Sequence, residues 1–480
     1  MRRSVLVSAA ALLLLPATAG AQVDPVCSAD TEASEVEQKP GPPLRFGIGP
    51  LPQAGQIGGN PAPAVPEQPD RTHAFLGELR PAGGPFVLRL NRFFWSDGEE
   101  GFQRYLGLAR RFARRGYLVE LQVRYHPSPE QEGNIAAWAE HVRQVVRRFG
   151  PIKRVVALQI TNEVNITFSP DSSDGAYEGA RLALVEGVKA ARDEAAKLGY
   201  RHLAVGFNWA YRTDPANETS FWQSLRDRGG PDFVRAVEWI GLDAYPGTVF
   251  PPAESEGGER DGMVNAMSAL RCYARIPGIP ESVPMKIEEN GWPTQPPGRS
   301  YEKQARVLEL MVRAAHDFRG TYNVTDYRWF NLRDGDTASP LLFQHFGLLE
   351  SDYDKKPAFD VYRRLVGELS VRSAGRARLR LRLRARRARV RRGGRACVRG
   401  PVRVAVVGPD AGRAVAATFF EGRRRAVRDG RRPLRAVVGR RRHRGRSHVH
   451  RVRVLVRLSD GRLVRLAARY RACADAPRRR

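Results

Sequence analysis

Between Leu44 and Leu369, eight apolar strand-like runs alternate with eight helix-like stretches, at about 41 residues per unit. The runs are Leu44 to Gly49, Pro85 to Trp95, Leu118 to Tyr125, Val155 to Thr161, Leu203 to Trp209, Val237 to Ala244, Val283 to Glu289 and Thr325 to Asn331. The helical stretches fall near Ala74 and over Gly98 to Arg115, Ile135 to Phe149, Ala176 to Leu198, Phe221 to Arg226, Met263 to Ala274, Glu302 to Phe318 and Pro357 to Leu369. Strands separated by helices pair in parallel, and eight such units predict a closed (β/α)8 barrel. An open doubly wound sheet is the rival. It usually places a glycine-rich phosphate loop after its first strand, and FGIGPLPQAGQIGG has neither GxGxxG nor GxxxxGK[ST]. A barrel places its functional site in the loops that follow the strands.

Two carboxylates stand at such strand ends. The fourth strand ends in ITNEVN, with Asn162 and Glu163 at its lip, and the seventh ends in KIEENGWPT, with Glu288 and Glu289. Glu163 and Glu289 are 126 residues apart, three repeats, and face each other nearly across the barrel mouth. Opposed carboxyls suit cleavage of a glycosidic bond, one as proton donor and the other as nucleophile or as base for water. Adjacent strand residues point to opposite faces, so only one of Glu288 and Glu289 is expected to serve.

These motifs resemble the clan A glycoside hydrolases, retaining (β/α)8 enzymes. The resemblance covers Leu44 to Leu369 and includes the Lys-Pro-Ala-Phe start of the last helix. It implies that Glu163 is the general acid/base and Glu289 the nucleophile. It implies that Asn162 binds the sugar 2-hydroxyl, that Tyr245 in GLDAYPG hydrogen-bonds the nucleophile, and that Trp329 is the platform under the cleaved sugar. Glu288 departs from the commoner Thr or Ser there. Beside the resemblance, Trp95, Trp209, Tyr211 and Trp292 are candidate sugar-stacking residues, and Arg89, Arg92 and His126 are candidate lining residues. The loops Pro50 to Asp70, Pro246 to Gly262 and Arg333 to Phe346 are expected to set specificity.

No His, Cys or acidic spacing reads as a metal motif and no GxSxG elbow occurs, so no cofactor is expected. Asn165, Asn217 and Asn323 match the glycosylation acceptor pattern.

The first residues read as an export signal. Arg2 and Arg3 precede an apolar run from Val5 to Leu15, and Ala19-Gly20-Ala21 supplies a small-residue cleavage site before Gln22. That run is too short to span a bilayer, and no other stretch does so, so no transmembrane segment is expected. A secreted, extracellular or cell-surface protein can bridge its four Cys. Cys397 with Cys473 is the favoured pair, and Cys27 with Cys272 a second. The expected layout is a signal peptide (1–21), an N-terminal extension (22–43), the barrel (44–369), a linker (370–376) and a C-terminal module (377–480).

Charge is segregated between these parts. The chain carries a net +29, yet residues 371–480 hold 37 Arg against 5 acids, and the rest is slightly acidic. In the basic part Arg and apolar residues alternate, as in RARLRLRLRARRARV, PVRVAVVG and VHRVRVLVRL, which predicts strands. Turn signals and the Cys pair predict a small immunoglobulin-like β-sandwich. Contact with an anionic cell-wall polymer or polysaccharide is one expectation for the Arg surface. A merely solvated face is the other, and sequence-specific nucleic-acid binding is not expected. Taken together, the sequence predicts a secreted, monomeric retaining glycosidase acting on a β-linked glycan. The alternative is a non-catalytic carbohydrate- or polyanion-binding protein on a barrel scaffold.

Overall fold

The computed structural model describes residues 31–52, 63–81, 84–212, 214–253, 255–296 and 298–370, together with 24, 25 and 27. In the C-terminal module it describes 379–387, 397–408, 411, 414–421, 424–429, 434–439, 448–458 and 463–473. The expected export signal and most of the expected linker lie outside the described residues.

Eight parallel strands close into a barrel in chain order. They are β1 (Arg45–Ile48), β2 (Val87–Phe94), β3 (Leu118–Arg124), β4 (Val155–Ile160), β5 (Ala204–Ala210), β6 (Trp239–Asp243), β7 (Met285–Glu289) and β8 (Val324–Trp329). The intervening helices are α1 (Pro69–Leu79), α2 (Gly98–Arg114), α3 (Ile135–Phe149), α4 (Ala180–Lys197), α5 (Pro215–Ala236), α6 (Glu259–Tyr273), α7 (Tyr301–Asp317) and α8 (Pro357–Leu369). The largest departure from expectation is α5, which runs from Pro215 rather than Phe221 and continues across a kink at Gly230 (φ 57°) before Pro231. Gly-Gly-Pro reads as a helix stop; here the chain bends and resumes. Asn134 caps α3 through its side chain, and proline opens α1, α5 and α8, where its missing N–H costs nothing.

The strands alternate in an instructive way. Leu88, Leu90, Val119, Leu121, Val205, Phe207, Ile240, Leu242 and Ile287 belong to one apolar core shared with the helices. The residues between them point into the barrel and are polar or small. Arg89 on β2 pairs with Glu288 on β7 at 3.4 Å and donates to Gln159 on β4 at 2.7 Å. Lys286 on β7 reaches Glu120 on β3 at 2.7 Å, and Arg328 on β8 lies 3.5 Å from the same carboxylate. Arg45 and Arg328 both hold Asp326. Gly47 and Gly241 leave the room: a Cβ on the first would stand 2.7 Å from Arg328 Cδ, and on the second 2.9 Å from Glu288 Cγ. The interior is thus an ionic network, and hydrophobic burial lies in the outer shell between strands and helices. Such a network holds only while each partner is present, because removing one leaves a buried unpaired charge.

Cys27 is bridged to Cys272 at the end of α6, tying the segment before β1 to the face where the strands begin. Ala33 N–H donates to Asp261 in the first turn of α6, and Lys39 N–H to Thr321 just before β8.

The C-terminal module is all-β. Its strands are β9 (Arg380–Arg387), β10 (Val398–Val407), β11 (Ala414–Glu421), β12 (Arg424–Asp429), β13 (Arg435–Val438), β14 (His448–Leu458) and β15 (Leu463–Ala472). They pair in the order β12-β11-β14-β15-β10-β13, with β9 also on β10. Since β10 meets β15 only at Val398 and β13 from Val402 onward, it crosses between two layers. Val402, Val404, Phe419, Val452, Val454 and Val456 fill the space between them. Arg382, Arg384, Arg403, Arg451, Arg465 and Arg469 face outward, as the alternation predicts. Cys397 and Cys473 are bridged. Two disulfides point to a compartment outside the reducing cytosol. Among the described residues no helix is long and apolar enough to cross a membrane.

Candidate active site

A cleft opens at the strand ends. Its lining includes Asn91 and Arg92 from β2, Asn162 and Glu163 after β4, Asp243 and Tyr245 at the end of β6, and Glu289 at the end of β7. Carboxyl oxygens of Glu163, Asp243 and Glu289 all lie within 4.8 Å of one another.

Local backbone irregularities deliver these groups. After β4 the chain turns sharply, with Thr161 and Glu163 in the left-handed region (φ 63° and 46°), where non-glycine residues are uncommon. Glu163 N–H donates to Asn208 Oδ1 at 3.0 Å, which holds that turn. Asp174 carries the support further: it accepts from Asn162 N–H at 2.9 Å and pairs with Arg124 at 2.7 Å. At β7, Leu242 pairs with Ile287 but Asp243 pairs with Glu289, so Glu288 is skipped. That bulge corrects the expectation that only one of the two glutamates turns inward. Glu288 lies inside the barrel, and Glu289 rises into the cleft above it, so that both contact Arg89.

The two opposed carboxyls have different surroundings. Glu289 receives Arg89 at 2.6 Å, the Tyr245 hydroxyl at 2.7 Å and Gln122 at 3.4 Å, the donors a carboxylate needs. Among the described residues, Glu163 has one weak side-chain hydrogen bond to its carboxyl, from Asn162 Nδ2 at 3.5 Å. Burial, and then the charge of Glu289, push its carboxyl up to about 8. The two carboxyls thus differ in environment: Glu289 is well supplied with donors, and Glu163 is buried with few and has its carboxyl pushed up. Burial and the Glu289 charge also raise the Tyr245 phenol well above its ordinary range, so it stays a donor.

Glu163, Asp243 and Glu289 also meet the distance requirement for a shared cation. Arg89 already supplies a positive charge at Glu289.

Several expected site residues stand elsewhere. Trp329 is fully buried in the outer core, its indole N–H on Phe346 O at 3.2 Å. Asp326 and Arg328 point inward on β8, so Trp329 must face the helices. The cleft face there is lined instead by Phe330, which packs on Tyr245 and Phe346. Trp209 is likewise turned outward beside Asn208, packed on Trp222 and Tyr273, with its N–H on Glu218. Trp292 is buried under Arg299, and Trp95 packs on Trp138; neither lines the cleft. His126 stacks on Phe94 at 4.2 Å, also outside the lining. Arg92 and Tyr211 do line it. Asn165 is buried, with its amide on Ala210 O and Glu218, which removes it as a glycosylation acceptor.

The sequence reading missed the phenylalanines. Beside Tyr211 and Tyr245, most of the aromatic lining comes from Phe168, Phe250, Phe330, Phe343 and Phe346. Their signal was position alone: all sit in segments following β4, β6 and β8. Two of the loops expected to set specificity contribute, through Val249 and Phe250 and through Phe343 and Phe346. Residues 53–62 of the first loop lie outside the described residues.

No family model matches the chain, and no curated protein matches it. Solved structures share its general form at low identity. A calcium-binding mutant of Bacteroides uniformis beta-glucuronidase 2 aligns with 91% of this chain and 46% of its own, at 13% identity and TM-score 0.43. The chain therefore spans about half the length of that protein. A fungal beta-1,4-galactanase structure aligns with 67% of this chain and 99% of its own, at 12% identity and TM-score 0.45. GH5_18 from Streptomyces cattleya, in complex with GlcNAc, aligns with 68% and 80%, at 14% identity and TM-score 0.45.

Proposed function

We propose that this chain is a secreted retaining glycoside hydrolase that cleaves a β-linked glycan by double displacement. The observation that carries the reading is the unequal carboxyl pair: Glu163 and Glu289 oxygens within 4.8 Å, one short of donors and the other well supplied with them. Inverting enzymes hold their carboxyls ~6.5–9.5 Å apart to admit a water, and retaining ones ~5–5.5 Å apart. The spacing here favours direct attack.

In this mechanism Glu163 protonates the departing oxygen while Glu289 attacks the anomeric carbon. Glu163, now a carboxylate, takes a proton from water as water cleaves the glycosyl–enzyme ester. Asn162 contacts the sugar beside Glu163, and the Phe-rich wall packs on its apolar face. Arg89 and Tyr245 hold Glu289 in one rotamer and stabilise its charge when it leaves the sugar.

The Arg strands add a second contact. Arg384 lies directly opposite Arg403 on β9–β10, and Arg451 opposite Arg469 on β14–β15. Like charges facing across a pair destabilise a sheet, and an anionic polymer laid over them relieves the repulsion. Attachment to an acidic polysaccharide or cell-wall polymer is therefore part of the proposal.

The test is hydrolysis of aryl β-glycosides and of β-glucans, mannans, xylans and galactans, with NMR of the first-formed product. A β-anomer from one of these supports the reading. An α-anomer, or no cleavage of any substrate, overturns it.

A further inference from the structure

Asp243 has no place in that two-carboxyl scheme, yet it stands within the same 4.8 Å cluster. Its side chain is 1% exposed. Oδ2 accepts from Asn208 Nδ2, while Oδ1 has no hydrogen-bond partner among the described residues. Asn208 links this residue to the rest of the centre: its amide also donates to Asn162 Oδ1 at 2.8 Å, and its carbonyl oxygen accepts from Glu163 N–H.

The barrel interior sets the charge. Among the described residues, the cations Arg45, Arg89, Lys286 and Arg328 form their ion pairs with Glu120, Glu288, Glu289 and Asp326, and no ion pair reaches Asp243. Glu120 and Asp326 have the cations closest. Glu289 has Arg89. The groups facing Asp243 are Glu163 after β4, Glu288 and Glu289 on β7, Arg89 on β2 and Tyr245 two residues on, so acids dominate its surroundings. Burying an unpaired anion there is costly. A proton on Oδ1 removes the charge and turns a partnerless acceptor into a donor.

We propose that Asp243 is a third carboxyl of the centre that stays a neutral acid, its Oδ1–H acting as a positioning donor beside the Glu163–Glu289 pair. This rests on reading those two residues as the reacting pair. Burial, followed by the Glu289 and Glu163 charges, raises the Asp243 carboxyl well above its ordinary range, in keeping with this assignment.

Asp243→Asn and Asp243→Ala separate the possibilities. Asparagine keeps the acceptor for Asn208 and puts an N–H where the O–H stood. Asp243→Asn is expected to keep kcat/KM within about threefold, and Asp243→Ala to lose roughly 10–100-fold, the scale of one buried donor to a charged group. Wild type should lose activity on the alkaline side with a limiting log–log slope approaching about two, since both Glu163 and Asp243 must keep protons, and Asp243→Asn with a slope of about one. Independently of turnover, the infrared difference spectrum of wild type minus Asp243→Asn at pH 7 should contain a protonated-carboxyl band, with both proteins folded by circular dichroism. A missing band overturns the proposal whether or not any glycoside is cleaved. So does a folded but inactive Asp243→Asn in an otherwise active enzyme, because an anion, not a donor, is then required. If wild type cleaves nothing but the band is present, the hydrolase reading fails while the neutral Asp243 stands.

Discussion

The Tyr245 hydroxyl donates to Oε2 of Glu289 at 2.7 Å, while Arg89 takes the other oxygen at 2.6 Å. The carboxylate is clamped from two sides by groups from β2 and the end of β6. Under the proposed double displacement, the clamp must loosen as the charge of Glu289 passes to a sugar.

Glu289→Ala is therefore expected to lower kcat at least about ten-thousandfold, as removal of a covalent nucleophile does. Added azide should restore part of the activity and give an α-configured glycosyl azide, identified by NMR. Glu163→Ala should spare aryl glycosides with good leaving groups and depress natural glycans most.

Tyr245→Phe removes one donor from Glu289 without changing the cleft shape. A loss of roughly 10–1,000-fold in kcat is expected, the range for deleting one preorganised donor. A small change in KM alone would mean that Tyr245 only packs on Phe330 and Phe346.

Because burial and Glu289 raise Glu163 to about 8, kcat/KM should hold through neutral pH and fall as pH rises through that value. Stability carries the same sign. Glu163 and Glu288 both bind their protons more tightly folded than at the ordinary 4.5. The stability they contribute is complete below about 4.5 and is lost as pH climbs through about 8. A thermal melt series from pH 5 to 9 checks both the direction and the window, and Glu288→Gln should remove part of the slope.

The barrel was legible because its alternation of apolar runs and helices is a pattern of chain length and period, which survives any choice of side chain. Glu163, Glu289, Asn162 and Tyr245 were legible because they sit at strand ends beside short motifs, and the structure brings all four to one cleft. The tryptophans misled for a geometric reason. Trp209 and Trp329 occupy positions whose parity faces the helices, and parity is visible only once Asn208 and Arg328 are known to point inward. An ionic barrel interior inverts the usual guess about which residues of a buried strand face the centre. The skipped residue at Glu288 could not be read either, since a bulge is fixed by pairing with β6 and not by β7 itself.

On the Arg surface, Arg384→Glu with Arg451→Glu should release both facing pairs. Retention on heparin at low salt should fall while turnover of a small soluble glycoside is unchanged. For wild type, retention should weaken steeply with salt, as counterion release requires.

Cys27→Ser with Cys272→Ser opens a loop of 245 residues. A loss of about 2–5 kcal/mol is expected in denaturant unfolding, with the cleft and its kinetics unaltered below the transition. Either single mutant leaves a lone thiol that alkylation should detect.

That crosslink also has a use at the bench. Cys27 is bridged to the end of α6 and Asp24 pairs with Arg226 on α5, so both residues lie on the outer helices and neither lines the cleft. A bead or fluorophore fixed on that outer face would leave the cleft open, so the proposed hydrolysis of a bulky polymer should survive immobilisation.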